Sequence, residues 1–199
     1  TPALVIYRGR VIENINTLIN SIDNIGRLRP HVKTHKSQQV CELMLKAGIR
    51  KFKCATIAEA EMLALAGAPD VLLAYQPVGP KIYRLAALVK RFSSTSFSCL
   101  IDNPETAKHI SDVFEGEHVT FPVFIDINVG MNRTGIMPHQ ALQLFDNCRN
   151  FKGISIKGLH AYDGHIRDAD FTLRKNRCDE GFANVLLVKE EIKANFNTV

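Results

Sequence analysis

Short apolar runs alternate with longer segments of helical period along almost the whole chain. The opening "ALVIYRG" reads as a strand. "VIENINTLINSIDNI" then places Ile12, Ile15, Leu18, Ile19 and Ile22 on one helical face. "RPHVK" reads as a short strand, and the helix after it carries Val40, Leu43, Met44 and Ala47 at i, i+3, i+4 and i+7. The alternation continues with "KFKCA" before "IAEAEMLALAG", which Gly67 closes, and "DVLLAYQ" before "GPKIYRLAALVKRF". "TSFSCLID" precedes "NPETAKHISDVFEG", with Asn103 as N-cap and Pro104 as the first helical residue. "FPVFIDINV" precedes "MPHQALQLFDNCRN", and "SIKGLHAY" precedes a last helix over Asn184 to Phe196.

About six strand–helix units after an opening strand predict an α/β fold built from parallel βαβ units. A doubly wound open sheet and a (β/α)8 TIM-type barrel both fit. No GxGxxG turn follows the first strand, which favours the barrel. A closed barrel has eight units and about 250 residues, so either two units are missed in this pattern or the chain stops before the barrel closes, which would leave it incomplete. Its active site would lie at the C-terminal ends of the strands.

Composition narrows the class without naming a chemistry. Hydrophobic residues at 46% and charged residues at 23% suit a soluble globular protein with a sizeable core. The formal net charge of +5 is spread along the chain and mildly favours anionic ligands. Five cysteines, Cys41, Cys54, Cys99, Cys148 and Cys178, show no CxxC or zinc-type spacing and read as reduced, packing thiols. No signal-type segment precedes Thr1, and no apolar run reaches the ~18 residues a membrane span requires. The expectation is a cytoplasmic protein that contacts no membrane.

Candidate chemistry sits where strands end. With period two through "RPHVK", Arg29, His31 and Lys33 share one side and Val32 the other. A desolvated Lys33 at a strand end would offer a free amine for Schiff-base chemistry, whereas a loop lysine would simply be solvated. Lys36, Lys53 and Lys157 are its rivals. Lys36 lies at a helix start, Lys53 within a strand, and Lys157 has the parity of Leu159 and Ala161, opposite to His160 and Tyr162. On "FPVFIDINV", Phe121, Val123, Ile125 and Ile127 face helices, and Asp126 and Asn128 face the interior. In "GMNRTG" two glycines bracket Arg133, whose fork can take a phenolate, carboxylate or phosphate, or can pair with Asp126 structurally. Tyr162 can lay its ring on a planar cofactor or be a core tyrosine. His160, Asp163 and His165 lack a recognised zinc spacing, so no metal site is assigned to this chain.

Taken together, "RPHVKTHK", "DINVGMNRTG" and "GLHAYDGH" resemble the D-threonine aldolase and D-serine dehydratase group of the alanine racemase fold type. The resemblance covers nearly the whole chain. It implies pyridoxal 5'-phosphate (PLP) as cofactor, held by Lys33 as an aldimine, with Arg133 near the phenolic oxygen and Tyr162 beside the pyridine ring. His31 falls inside the lysine motif, and Gln76, after "LLAY", is a candidate polar contact. Lys33 and Tyr162 are the implied catalytic residues. The resemblance further implies a small-molecule D-amino acid substrate with a β-hydroxyl, and aldolase or dehydratase lyase chemistry. It places a divalent metal in a C-terminal β domain that this chain lacks, together with the phosphate-binding loops of the last two barrel strands. Residues 1–10 would be the opening strand that joins such a domain, and 11–199 the truncated barrel. A barrel with open edges is expected to form a homodimer or to retain the missing piece non-covalently. The alternatives are an amino-acid racemase, a non-catalytic PLP-binding homeostasis protein, and a polyanion binder using the Arg27–Lys36 patch; the favoured reading includes no nucleic acid.

Overall fold

A computed structural model describes residues 3 and 5–196. Five strands alternate with helices. The chain divides into two compact units, residues 1–74 with 87–97, and residues 75–86 with 98–199.

The first unit contains α1 (Arg8–Asn20), α2 (Gln38–Lys46), β1 (Lys51–Cys54), α3 (Ile57–Leu65) and β2 (Asp70–Leu73). β1 and β2 are parallel, with Phe52 opposite Val71 and Cys54 opposite Leu73. Both helices after α1 start on side-chain caps: Ser37 accepts from the Val40 N–H, and Thr56 from the Glu59 N–H. Gly67 takes φ +84° just past α3, the conformation expected of a helix-closing glycine. The core holds Val32, Ile49, Phe52, Leu63 and Val71, all wholly buried. On α1 only Ile15 is buried, while Ile12 and Leu18 of the same stripe are exposed.

Two expectations fail here. The opening strand is not formed by the described residues: residues 5–7 have no regular structure, and α1 begins at Arg8. Thr1, Pro2 and Leu4 of that expected strand lie outside the described residues. "RPHVK" is not a strand either. His31 makes a single bridge to Lys53, the Lys53 N–H donates to Pro30 O at 2.8 Å, and a 3₁₀ turn begins at Val32. Pro30 has no N–H to pair, and the His31 ring draws the Lys33 N–H into a local bond, so the ladder stops after one residue. This is why five strands are found where about six were expected after the opening one.

α4 (Pro80–Arg91) and β3 (Ser96–Ile101) each run through the boundary between the two sets of residues. The second unit continues with α5 (Pro104–Gly116), β4 (Phe121–Ile127), α6 (Pro138–Cys148), β5 (Ile154–Ala161) and α7 (Phe171–Phe196). β3, β4 and β5 are parallel neighbours. Asn103 caps α5 by accepting from the Thr106 N–H at 2.8 Å, with Pro104 at the first turn, as the sequence predicts. Phe121, Val123, Ile125 and Ile127 are all buried, and Phe114 stacks on Phe121 with ring centroids 4.2 Å apart. β5 carries a bulge at Lys157: Val123 pairs with Ile156, and Phe124 already with Gly158.

α7 is 26 residues long and starts well before the expected Asn184. Its first half has no apolar stripe and is held by local polar bonds. The Leu173 N–H donates to Asp170 Oδ1 at 2.7 Å, Lys175 pairs with Asp179, and Arg177 pairs with Asp168 at 2.7 Å.

Candidate functional site

The segment from Arg29 to Gln38 is a succession of local caps in the first unit. Arg29 forks onto Asp70 at 2.6 and 3.1 Å, so it serves the structure. The His31 ring Nδ1 accepts the Lys33 N–H at 3.2 Å, and the His35 Nδ1 accepts the Ser37 N–H at 3.1 Å. Ser37 in turn caps α2. Val32 is wholly buried and anchors the turn, while Lys33 is exposed on it. Burial, and then the nearby Lys33 and Lys53 ammoniums, push the His31 pKa down to about 4. His31 is therefore neutral at pH 7, as its accepting Nδ1 requires.

The rival lysines have other settings. Lys36, in a left-handed conformation at φ +48°, forms an ion pair with the buried carboxylate of Glu59. Burial alone would raise the Glu59 pKa. The Lys36 hydrogen bond and the Ala55 N–H, at 2.8 Å, outweigh it and hold the carboxyl below its ordinary range. Lys157 is exposed at the β5 bulge. Lys53 lies in β1 opposite the His31 bridge.

In the second unit the register of β4 and β5 sets Asp126 directly opposite His160. Asp126 is buried, and its Oδ1 lies 2.7 Å from His160 Nδ1. Its Oδ2 accepts from Gln76 Nε2 at 3.3 Å. The structural alternative for Arg133, a pair with Asp126, is thereby replaced: the Arg133 guanidinium carbon lies over the Tyr162 ring, 5.5 Å from its centroid. Gln76 is buried, and its amide nitrogen also donates to Asp102 Oδ2 at 2.8 Å.

The turn bearing Arg133 is tightly fixed. Asn128 Oδ1 accepts from the Gly130 and Asn132 N–H groups at 3.0 and 3.2 Å. The Gly135 N–H donates to Asp102 Oδ2 at 3.1 Å, and Ile127 bridges to Ile136. The two bracketing glycines are needed by the protein's own packing. At Gly135, φ +95°, a Cβ would press on the backbone of Asp126, Ile127 and Asn128; at Gly130 it would meet the His165 ring. A Cβ at Gly164 would overlap the Tyr162 ring, so "YDG" lets that ring fold back against the chain.

The structure thus brings Arg133 and Tyr162 together, and His31 and Lys33 together, in separate units. Sequence reasoning missed Asp102 and the Asp126–His160 pair. The signals were the polar residues "DN" directly after β3 and the inward parity shared by Asp126 and His160. In the sequence His160 stands close to Asp163 and His165 without a recognised zinc spacing. Among the described residues, no group of three His, Cys, Asp or Glu side chains converges to hold a metal ion.

The fold and this arrangement define an α/β protein of parallel strands with a lysine turn, an arginine turn and a tyrosine strand end. The profile of the family "Alanine racemase, N-terminal domain" matches residues 6–197, and the chain belongs to that family. It is similar to D-threonine aldolase of Arthrobacter sp, 27% identical over 84% of this chain and 44% of that protein. It is similar to 3-hydroxy-D-aspartate aldolase of Paracoccus denitrificans strain Pd 1222, 28% identical over 98% and 50%. It is also similar to D-threo-3-hydroxyaspartate dehydratase of Delftia sp. strain HT23, 31% identical over 68% and 36%. Among solved structures, D-threonine aldolase from Filomicrobium marinum superposes with a TM-score of 0.87 at 28% identity, covering 96% of this chain and 53% of that one. A D-threo-3-hydroxyaspartate dehydratase variant in a metal-free form gives 0.86 at 26%, covering 98% and 52%. The chain spans half or less of the length of these curated relatives.

Proposed function

We propose that this chain carries the PLP-binding part of a lyase acting on β-hydroxy D-amino acids, of the D-threonine aldolase or hydroxyaspartate dehydratase kind. The observation that carries the reading is the Arg133 guanidinium laid over the Tyr162 ring in a turn fixed by Asn128 and Asp102. The donor set fits a flat, anionic aromatic aldehyde: a primary amine on a capped turn, a guanidinium fork and an aromatic face. Lys33 would hold PLP, Arg133 would donate toward its ring oxygen, and Tyr162 would lie beside the ring. PLP, when bound, supplies the electron sink that makes bonds at the amino-acid α-carbon labile. Neutral His31 fixes the backbone beneath Lys33 without adding a charge beside the amine.

The relatives' names support a small D-amino acid bearing a β-hydroxyl as substrate. Racemisation of a D-amino acid is the nearest alternative chemistry. Four of the five cysteines are buried, all five are unpaired, and burial pushes the Cys41 and Cys148 thiols up to about 11. This supports a reducing compartment, the cytoplasm. Among the described residues no helix is long and apolar enough to cross a membrane. The divalent metal of the resemblance would belong to the part of the relatives that this chain does not span. A second reading is a PLP-binding protein without turnover of its own.

The test is to incubate the chain with PLP, reduce with borohydride and map the modified peptide. A pyridoxyl group on Lys33 is expected. Modification of Lys36 or Lys157 with Lys33 untouched would overturn the assignment. A separate PLP-loaded sample, not reduced, is given D-threonine and D-3-hydroxyaspartate: glycine with an aldehyde marks an aldolase, a keto acid with ammonia a dehydratase. Lys33 labelled with neither product formed favours the second reading.

A further inference from the structure

Gln76 joins the two halves of the Arg133–Tyr162 arrangement. Its Nε2 carries two hydrogens and no charge, and it donates to Asp102 Oδ2 at 2.8 Å and to Asp126 Oδ2 at 3.3 Å. On one side, the same Asp102 oxygen accepts the Gly135 N–H at 3.1 Å, two residues after Arg133. Asp102 Oδ1 is itself held by Asn103 Nδ2 at 3.0 Å. On the other side, Asp126 Oδ1 meets His160 Nδ1 at 2.7 Å, two residues before Tyr162. The path Gly135–Asp102–Gln76–Asp126–His160 therefore ties the turn carrying Arg133 to the strand end carrying Tyr162. Two carboxylates drawn to one point repel unless a donor lies between them. A neutral amide with two hydrogens meets that need without ionising itself.

We infer that Gln76 is a positioning residue: it sets the contact between Arg133 and Tyr162 through Asp102 and Asp126, rather than touching the ligand. The link to cofactor binding rests on the proposed function. The link between Gln76 and the Arg133–Tyr162 contact does not.

The contact can be read without any cofactor. In the intact chain, the Tyr162 ring current displaces the Arg133 Nε–H resonance in a ¹H–¹⁵N spectrum. Arg133→Lys identifies the peak by its loss, and Tyr162→Leu returns it to an undisplaced position. Gln76→Glu keeps the shape of the side chain but brings a third carboxyl to the meeting point. At pH 8 the displacement is expected to be lost. Toward pH 5 the introduced carboxyl gains a proton to donate, and the displacement is expected to return in part. Gln76→Met, of similar size but with no donor, is expected to lose it at both pH values. PLP affinity should follow the same pattern, with Kd raised at least tenfold at pH 8 in both variants, and restored only in Gln76→Glu when each is compared with the unsubstituted chain at the same pH. Thermal melts select temperatures at which the proteins are folded.

A merely structural glutamine would lower the melting point but leave the Arg133 displacement of the folded protein in place. That outcome, in either variant at pH 8, overturns the inference. If Gln76→Glu does not fold at pH 8, Gln76→Met decides. If the unsubstituted chain takes no PLP and the displacement still depends on Gln76, the proposed function fails and the positioning role stands.

Discussion

His31 shows how one side chain can tune both a turn and a pH response. Its Nδ1 must stay unprotonated to accept the Lys33 N–H, and its folded pKa lies near 4 against an ordinary value of 6.5. Between those values the unfolded chain binds a proton that the folded chain refuses. Stability is then full above about pH 6.5 and falls as pH drops toward 4. The His35 pKa is lowered as well, first by burial, and its contribution has the same sign. The His31 ring is partly exposed, so solvent screening limits its share to about 1 kcal/mol. His31→Asn keeps an acceptor for the Lys33 N–H and does not titrate. Urea unfolding at several pH values should show a shallower loss of stability over that window in His31→Asn than in the unsubstituted chain. An unchanged slope would place the titration elsewhere.

At the level of elements, what could be read in advance followed from local rules. The helices from α2 to α6 have both an apolar period and boundary residues, and the structure forms them all. Asn103 is the clearest case, since "NP" fixes a cap and a first turn by chemistry alone. Its side chain does more than the sequence reveals, because its Nδ2 also holds Asp102. Asn103→Ala should therefore cost about 1 kcal/mol for the cap. That lowers the melting temperature by roughly 2–4 °C for a chain of this size. Asn103→Ser, which keeps the cap but not the amide donor, should recover most of that stability. Short or patternless elements were not legible. "RPHVK" has the composition of a strand, but Pro30 and His31 divert its backbone, and the first half of α7 is held by ion pairs instead of a stripe. The candidate site divides in the same way. Lys33, Arg133 and Tyr162 stand in motifs of contiguous residues. Asp126 with His160, and Gln76 with Asp102, meet only through strand register and a bulge, and neither can be counted along a chain.

For the whole molecule, the open question is what covers its apolar surface. In the second unit, Phe182, Leu186 and Leu187 of α7 are 60%, 44% and 63% exposed. Phe182 and Leu186 also line a cavity of about 390 Å³ together with Phe145, Ile156, Leu159 and Val185. Clustered exposed apolar side chains mark a contact surface. The homodimer expected of this chain would use it. The excess of basic residues, a net +5, offers a competing cause of association through carried-over polyanions. Salt separates the two. Contacts driven by apolar burial persist or strengthen as sodium chloride rises from 50 to about 500 mM, because salt screens charge and leaves the hydrophobic term in place. Association through phosphate contacts instead weakens by orders of magnitude over such a rise. Sedimentation velocity on nuclease-treated protein should show a dimer that persists at high salt. Phe182→Lys combined with Leu187→Lys should shift it to monomer with little change in the melting point, since these two side chains are the more exposed ones, at 60% and 63%. A dimer unaffected by these substitutions would move the interface away from α7, and one that dissolves with salt would return the basic patch to consideration.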